Sequence, residues 1–253
     1  TTEIYTLSLH DALPIYYLKL DFNIREKDVR INDTIKYSTV LDYFQDIAGM
    51  QSDLENIGFT EIVKKGYYWI LLYVKFEVVG KLPKFGDHVD VITWPKAHGK
   101  IEYEREYEIR NKNGDLIIKG ISNWCLIDAK TRMLKRAEIE YRGELYPYTN
   151  YNEKCKRKLN LKEHDVIDEY KYKILINDLD HNMHMNNARY LDIIYNMGID
   201  TTKAYKKLEI AFLHEAKLNE EVIVKYYKED NINNFIGYLG DEKSFEVSIE
   251  YED

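Results

Sequence analysis

Residues 101–128 read IEYEREYEIRNKNGDLIIKGISNWCLID, and this stretch decides the class of the fold. From 101 to 109 a glutamate alternates with Ile, Tyr or Arg, which is the two-residue period of a β-strand with one face in water. Asn113-Gly114-Asp115 supplies typical hairpin-turn residues, and the chain returns as a second strand over Leu116–Asp128. The stretch therefore predicts an antiparallel hairpin whose glutamate side chains are exposed to solvent.

The segment before this hairpin reads as one helix and two further strands. Apolar residues recur at three- and four-residue spacings from 40 to 54, which predicts a helix. Ser38 or Thr39 can cap its start, and Gly58 can end it. The strands that follow are predicted at 69–79 and 88–94. The first half is therefore strand-rich, with a single long helix near its start.

The second half repeats this order of elements. A strand at 170–176 leads through a polar segment into a helix whose apolar face carries Tyr190 and Ile194. Gly198 ends this helix. Four more strands are predicted at 208–216, 221–228, 234–239 and 244–251.

A short sequence match supports a duplication. Ile31-Asn32-Asp33 precedes the first helix and Ile176-Asn177-Asp178 the second, at an offset of 145 residues (178 − 33). A helix followed by antiparallel strands is an α+β arrangement in which the sheet covers the helix. Two such halves joined edge to edge would share one sheet and hide two open edges. The tyrosine- and lysine-rich segment 142–164 reads as the linker between them.

The composition disfavours several classes of protein. With 253 residues, 45% of them hydrophobic and 32% charged, the chain is typical of a soluble globular protein. Its formal net charge of -8 disfavours nucleic-acid binding, and no apolar run approaches the ~20 residues needed to span a bilayer. Two cysteines without a Cys-x-x-Cys pair indicate free thiols in a reducing compartment, so a cytoplasmic location is expected. Residues 1–15 match neither a signal peptide nor a periodic element and read as an extension, or a non-native addition, outside the fold.

The densest polar cluster lies just before the second helix. Its members are Asn177, Asp178, Asp180, His181, Asn182, His184, Asn186 and Asn187. Such residues are also typical of a solvated loop that caps a helix, and that interpretation stays open. Against it stand two histidines and two aspartates at a helix N-terminus, where free N–H groups suit a developing oxyanion. A metal site on His181 and His184 is the weaker alternative, because the nearby sequence offers no third histidine or cysteine.

A second candidate is Glu215, which follows the apolar strand 208–213 and His214. At a strand end a glutamate either points into solvent or, if it faces the polar cluster, acts as a general base on water. The sequence contains no Gly-x-Ser-x-Gly elbow, phosphate loop or dinucleotide fingerprint. Cys125, beside Trp124 in a predicted strand, reads as a core residue rather than a nucleophile.

At these two places the sequence resembles the acyl-acyl carrier protein (acyl-ACP) thioesterases, a family with two hotdog domains in tandem. Residues 178–187, DLDHNMHMNN, resemble the family's central motif, in which Asp-x-Asn-x-His precedes a hydrophobic residue and two asparagines. Residues 212–216, FLHEA, resemble its second catalytic segment, and Tyr190 fits as well. Supporting first-domain matches are Trp94, Trp124 and Thr131-Arg132. The similarity runs from about Tyr16 to the C-terminus.

The resemblance implies both an architecture and a reaction. It predicts two tandem hotdog domains, an N-terminal one at 16–141 with the acyl pocket and a C-terminal one at 165–253 with the catalytic residues. The reaction implied is hydrolysis of the thioester between a fatty acyl chain and acyl carrier protein in fatty acid biosynthesis. The resemblance implies no metal and no cofactor for it.

Residue by residue, the family's catalytic positions fall on Asp180, Asn182, His184 and Glu215. Glu215 would activate water, Asn182 and His184 would hold that water or polarise the carbonyl, and Asp180 would orient Asn182. Ala216 stands where many plant members carry a cysteine, so attack by water replaces a thiol nucleophile. The substrate-binding residues implied are Phe44, Ile47, Trp69 and Leu71 for the acyl chain, and Asn186 and Asn187 for the oxyanion.

The expected partner is an acyl carrier protein bearing a fatty acyl chain, an acidic protein that needs a basic contact. The densest basic run is Lys154, Lys156, Arg157 and Lys158, which is equally typical of a solvated charge run. The chain itself is expected to be a monomer or a homodimer. Other functions stay open on the same fold, namely an acyl-CoA thioesterase, a non-catalytic acyl-ligand binding protein and a dehydratase.

Overall fold

The computed structural model of the chain describes residues 17–96, 99–136, 139 and 148–252. Its first half contains β1 (Leu18–Asn23), α1 (Tyr37–Leu54), α2 (Phe59–Lys64), β2 (Tyr67–Val78), β3 (His88–Pro95), β4 (Glu102–Asn111), β5 (Leu116–Asp128) and the short β6 (Leu134–Lys135). Its second half contains β7 (Asp168–Lys173), α3 (Asn187–Asn196), β8 (Tyr205–Phe212), β9 (Glu221–Glu229), β10 (Ile232–Leu239) and β11 (Glu242–Tyr251). The predicted extension 1–15 and the linker residues 142–147 lie outside the described residues.

One antiparallel sheet of eleven strands runs through both halves of the described chain. Its order is β1-β3-β4-β5-β2-β8-β11-β10-β9-β7, with β6 paired to β5. The halves join where β2 pairs with β8, with Tyr73 opposite Ala211. The predicted α+β fold and the edge-to-edge sheet are therefore confirmed. No helix within the described ranges is both long and apolar enough to cross a bilayer.

The hairpin that the sequence predicts is present with the expected turn. β5 has the predicted bounds, and β4 begins at Glu102. Gly114 adopts a φ of 88°, a left-handed conformation that glycine enters because it has no Cβ. Asn111 Oδ1 accepts hydrogen bonds from the N–H groups of Asn113 and Asp115. Local turn chemistry thus supports the pairing of the two strands.

The glutamate face of β4 is covered, with Glu108 buried and Glu102 and Glu104 half-buried, so the prediction that it faces water is wrong. Glu106 is fully buried. The linker segment 148–157 lies over this face and donates its backbone N–H groups, from Asn150 to Glu106 at 2.6 Å and from Cys155 to Glu104 at 2.7 Å. These carboxylates can be buried because the linker supplies hydrogen bonds to them. Alternation along a strand identifies its two faces but not what covers them.

The first predicted helix is present as α1, but it ends at Leu54 rather than at Gly58. Gly58 instead precedes α2, a short helix that the sequence analysis missed. Ser38 and Thr39 lie inside α1 and not at its cap. The break between the two helices places Gly58 and Phe59 in the wall of a cavity.

The two halves carry the same loop before their long helices. The shared features are a 3-10 turn (Glu26–Asp28 and Ile176–Asp178) and an isolated bridge (Val29↔Ile35 and Leu179↔Met185). Asp33 and Met183 take the same left-handed conformation, with φ of 62° and 64°. Corresponding residues are therefore 150 positions apart (183 − 33). The structure supports a duplication, but the Ile-Asn-Asp match at an offset of 145 is wrong.

Candidate active site

The carboxylate of Asp180 organises the loop before α3. Its Oδ1 accepts hydrogen bonds from the N–H groups of Asn182 (2.8 Å) and His184 (3.3 Å). Its Oδ2 accepts one from Asn182 Nδ2 at 3.4 Å. Between them Met183 takes its left-handed conformation and turns the chain. Asp180 thus holds the backbone that carries Asn182 and His184.

Hydrogen bonds tie this loop to the segment that follows β8. Met185 N donates to Ala216 O at 2.8 Å, and His184 forms an isolated bridge with Lys217. From the other side, Ala216 N donates to the Tyr190 hydroxyl at 3.0 Å. Burial raises the pKa of Tyr190 to about 12, so the hydroxyl stays neutral at physiological pH. The loop and the strand end are therefore held together from both sides.

These ties bring His184 beside Glu215, with 3.4 Å between Nε2 and Oε2. The same Oε2 forms an ion pair with Nη2 of Arg132. The His184 side chain is 20% exposed and that of Glu215 is 33% exposed, so solvent reaches the pair. The four residues predicted to be catalytic line one cavity together, namely Asp180, Asn182, His184 and Glu215.

The N-terminus of α3 faces the same cavity. Asn186 is its N-cap, and Asn186 Oδ1 accepts a hydrogen bond from Ala188 N at 2.9 Å. The loop also uses the N–H groups of Met185 and Asn186. The N–H of Asn187 has no acceptor within the described residues, and its side chain donates to Gln45 at 2.8 Å. A free N–H at the positive end of a helix suits a developing oxyanion.

A cavity of about 460 Å³ opens beside His184 and Glu215. It passes beneath α1 and across β2, β5 and β4, which follow β8 in that order in the sheet. With neighbouring strands ~4.8 Å apart, the distance from β8 to β4 is roughly 14 Å. Trp69, Trp124 and Tyr103 line the walls. The length and the aromatic walls suit an extended apolar ligand.

The four residues predicted to contact an acyl chain divide into two pairs. Trp69 and Leu71 line the cavity. The structure places Phe44 and Ile47 in the core instead, where the Phe44 ring stacks on Tyr107 with the centroids 4.2 Å apart. Phe44 and Ile47 lie on the face of α1 that points at the sheet, because apolar residues three or four positions apart share one face of a helix. The residues of α1 that line the cavity are Asp42, Gln45, Asp46, Ala48, Gly49 and Ser52.

Two carboxyl groups of α1 contribute to the cavity wall. Burial raises the pKa of Asp42 to about 6, although Arg189 at 2.8 Å opposes this shift. Burial also raises the pKa of Asp46. This polar wall lies where α1 meets α3, and no local sequence pattern predicts it.

Arg132 is the member of the site that sequence reasoning missed. Its ion pair with Glu215 joins residues 83 positions apart, and no local pattern predicts such a contact. The available signal was the Thr131-Arg132 pair, which resembled a family feature without a role attached to it.

His181 lines the cavity next to the four predicted catalytic residues, and Cys125 lies in the core. The ring of His181 packs edge-on against Phe59, with the centroids 4.1 Å apart. Across the described residues, no group of three or more His, Cys, Asp or Glu side chains is arranged to hold a metal ion. Burial raises the pKa of Cys125 to about 12, which keeps it in the thiol form.

The basic run of the linker lies away from the cavity. Lys156 pairs with Glu209 at 2.8 Å, and Arg157 pairs with Glu102. Because Glu102 and Tyr103 alternate along β4, Arg157 meets the face of the sheet opposite the cavity. These two cations therefore hold the linker on the sheet.

Comparison with protein families matches nearly the whole chain. Residues 16–145 match the acyl-ACP thioesterase N-terminal domain, and residues 160–250 match the acyl-ACP thioesterase C-terminal domain. A palmitoyl-acyl carrier protein thioesterase of Arabidopsis thaliana is 28% identical over 213 residues, which are 77% of this chain and 51% of that protein. A palmitoyl-acyl carrier protein thioesterase of Cuphea hookeriana is 29% identical over 186 residues, 68% of this chain and 44% of that one. The chain thus spans about half the length of the curated relatives it matches.

Solved structures share the fold over most of the chain. An acyl-ACP thioesterase from Bacteroides thetaiotaomicron superposes with a TM-score of 0.85 at 18% identity, covering 94% of this chain and 98% of that one. A 12:0-ACP thioesterase from Umbellularia californica superposes with a TM-score of 0.81 at 20% identity, covering 96% and 99%. At such low identity these similarities establish the fold alone.

Proposed function

The chain belongs to the acyl-ACP thioesterase family, and on that premise we propose that it hydrolyses the thioester of fatty acyl-acyl carrier protein. The products are a free fatty acid and the carrier protein with its free thiol. The observation that carries the proposal is the 3.4 Å approach of His184 Nε2 to Glu215 Oε2 beside a cavity with aromatic walls. A base, a free helix N–H and an apolar cavity together meet the needs of thioester hydrolysis.

Glu215 is the general base in this proposal. His184 and Arg132 make their shortest contacts with its Oε2, and no described residue donates a hydrogen bond to its Oε1. Oε1 is therefore free to take a proton from water while the water oxygen bonds to the thioester carbonyl carbon. Ala216 follows Glu215 and carries no thiol, so no acyl-cysteine intermediate forms at that position.

The oxyanion and the leaving group complete the cycle. The N–H of Asn187 at the start of α3 donates to the carbonyl oxygen as it becomes negative. Asn182 and His184 hold the water between base and carbonyl, on a backbone that Asp180 fixes. When the tetrahedral intermediate collapses, the C–S bond breaks and the thiolate takes the proton from Glu215, which restores the carboxylate.

The acyl chain occupies the cavity beneath α1. Trp69, Leu71 and Trp124 provide apolar contact along its path. Arg105 on β4 is 5% exposed and lines the cavity, where its guanidinium donates to Gln51 and Thr93. A buried guanidinium is an unfavourable neighbour for a terminal methyl group, so the chain ends before it.

The acyl carrier protein is the partner in this proposal. Lys135 in β6 and Arg136 directly after it are exposed close to the turn that supplies Arg132. An acidic carrier would meet these cations beside the catalytic groups, whereas part of the linker run is paired behind the sheet. The domain bounds (16–141 and 165–253), the cytoplasmic location and the monomeric or homodimeric state stay predictions.

Turnover on matched acyl-ACP and acyl-CoA thioesters, with chains of four to eighteen carbons, tests the proposal. We expect free thiol to be released, with the higher kcat/KM on the carrier-bound substrates. A higher kcat/KM on acyl-CoA would assign the chain to the CoA alternative. Binding of acyl ligands without thiol release would assign it to the non-catalytic one.

A further inference from the structure

We propose that Arg132 is a positioning residue that holds the Glu215 carboxylate in the orientation needed to activate water. The inference rests on the proposed function and adds to its site a residue from the other half of the chain. Arg132 lies between β5 and β6 in the first half, whereas Glu215 follows β8 in the second. The site is therefore complete only when the two halves are joined.

The side chain of Glu215 has two anchors, and both are on one oxygen. Arg132 Nη2 and His184 Nε2 contact Oε2, the latter at 3.4 Å. Oε1 accepts no hydrogen bond from any described residue. A carboxylate held by one oxygen presents the other in a defined direction, which is what a base aimed at a single water molecule requires.

The turn that carries Arg132 is held by a dense set of local hydrogen bonds. Asp128 Oδ1 accepts from Lys130 N at 3.1 Å, from Thr131 N at 2.8 Å and from the Thr131 hydroxyl at 3.0 Å. The hydrogen bonds from Thr131 lower the pKa of Asp128. Arg132 itself has a φ of 60°, a conformation uncommon for a residue with a side chain. Such a backbone persists where the surrounding contacts over-determine it.

Further backbone hydrogen bonds anchor this turn to the sheet. Arg132 N donates to Asp128 O and Asp128 N donates to Met133 O, both at 2.9 Å. Ala129 N donates to Gly66 O, also at 2.9 Å, which ties the turn to the residue preceding β2. In the sheet β2 lies between β5 and β8. The Arg132 side chain therefore spans β2 to reach the end of β8 from a fixed base.

The energetics of this ion pair favour a role in orientation over one in stability. The Arg132 and Glu215 side chains are 43% and 33% exposed, and ion pairs this exposed contribute little to folding. A guanidinium is planar and keeps its charge at any physiological pH, so it fixes a carboxylate better than a lysine does. Loss of Arg132 should thus leave the fold intact while it frees the Glu215 side chain.

A different role for Arg132, contact with the carrier protein, makes opposite predictions. A docking cation would change KM for carrier-bound substrate and leave a small thioester unaffected. A positioning residue would lower kcat on both substrates, because the same base acts on both. Lys130 lies two residues away in the same exposed turn and does not line the cavity, so it is the matched control.

The test compares Arg132→Gln, Arg132→Lys and Lys130→Gln on acyl-ACP and on the N-acetylcysteamine thioester of the same acyl chain. We expect Arg132→Gln to lower kcat by about 10²-fold on both substrates, a loss typical of a misplaced catalytic group. Arg132→Lys should recover part of that loss. Lys130→Gln should keep the wild-type kcat on the small thioester, and all three variants should melt at the wild-type temperature.

Two results would overturn the proposal. One is a wild-type kcat for Arg132→Gln on the small thioester, with the effect confined to KM for acyl-ACP. The other is a crystal structure of Arg132→Gln in which the Glu215 carboxylate keeps its place beside His184. The crystal structure needs no substrate, so it decides the role of Arg132 even if the wild-type protein hydrolyses no thioester and the proposed function fails.

Discussion

The loops at 28–37 and 178–187 share one backbone, yet only the second lines the cavity. Arg30 N donates to Thr34 O in the first loop as Asp180 N donates to His184 O in the second. Arg30, Asn32 and Thr34 thus stand where Asp180, Asn182 and His184 stand 150 residues later. The loop conformation is therefore a scaffold, and the chemistry depends on the side chains placed on it.

The segments that face the two loops also carry different side chains. Ile35 N donates to Pro83 O as Met185 N donates to Ala216 O, so Leu82 takes the place of Glu215. Leu82 is 7% exposed and belongs to the core. The first half therefore has a buried leucine where the second has its proposed base.

The contacts of the two long helices complete the contrast. Asn187 on α3 donates to Gln45 on α1, and the corresponding pair, Tyr37 and Tyr195, packs edge to face at 6.0 Å. Tyr205 adds a second ring beside Tyr37, at 5.7 Å. Aromatic rings fill the space in one half that the other half leaves for a ligand. One duplicated scaffold thus supports a packed core at one place and an open site at the other.

Alanine substitution at the matched positions 184 and 34 should give the largest difference in kcat/KM between the two loops. We expect His184→Ala to lower kcat/KM on acyl-ACP by about 10³-fold, because the residue beside the base is lost. Thr34→Ala should leave kcat/KM unchanged. Steady-state thiol release measures both, and a comparable loss in Thr34→Ala would contradict a functional difference between the loops.

Removing the Arg30 guanidinium should affect folding rather than activity. Arg30 is 3% exposed, donates to Lys203 O at 2.8 Å and lies 5.0 Å from the centre of the Tyr205 ring. Arg30→Met leaves that carbonyl without its donor, which should lower the free energy of unfolding by about 2 kcal/mol. Urea denaturation measures the loss. An unchanged unfolding midpoint would show that Arg30 does not stabilise the fold. A kcat reduced at temperatures where the variant is folded would show that the first loop contributes to activity.

The N-caps of α1 and α3 should show the smallest difference between the two halves. The Asn186 side chain accepts from Ala188 N, whereas Lys36 at the corresponding position makes no side-chain cap. Asn186→Ala should therefore lower the free energy of unfolding by about 1 kcal/mol, and Lys36→Ala should have no measurable effect. Urea denaturation measures both variants. Equal losses of unfolding free energy would show that the two cap residues stabilise their helices equally.

Local sequence patterns predicted most of the fold but only part of the site. The strand pair of β4 and β5 was predictable because alternation and Asn113-Gly114-Asp115 are both local signals. The buried face of β4 was not, because the covering linker is brought there by tertiary packing. The motif residues were predictable from their resemblance to a family, and the structure brings them to one cavity. The ion pair of Arg132 and the packing of Tyr37 against Tyr195 are contacts between the two halves, and no single stretch of sequence predicts them.

We propose Glu215 as the base of a single site in the second half. The direct measurement is kcat/KM on acyl-ACP for Glu215→Gln, with Glu221→Gln as an exposed control of the same chemistry and melting temperature as the check on folding. Glutamine keeps the size of the side chain but cannot take the proton, so we expect a loss of about 10³-fold or more with an unchanged melting temperature. Glu221→Gln should match the wild type. Turnover of Glu215→Gln within a few-fold of the wild type would contradict the account.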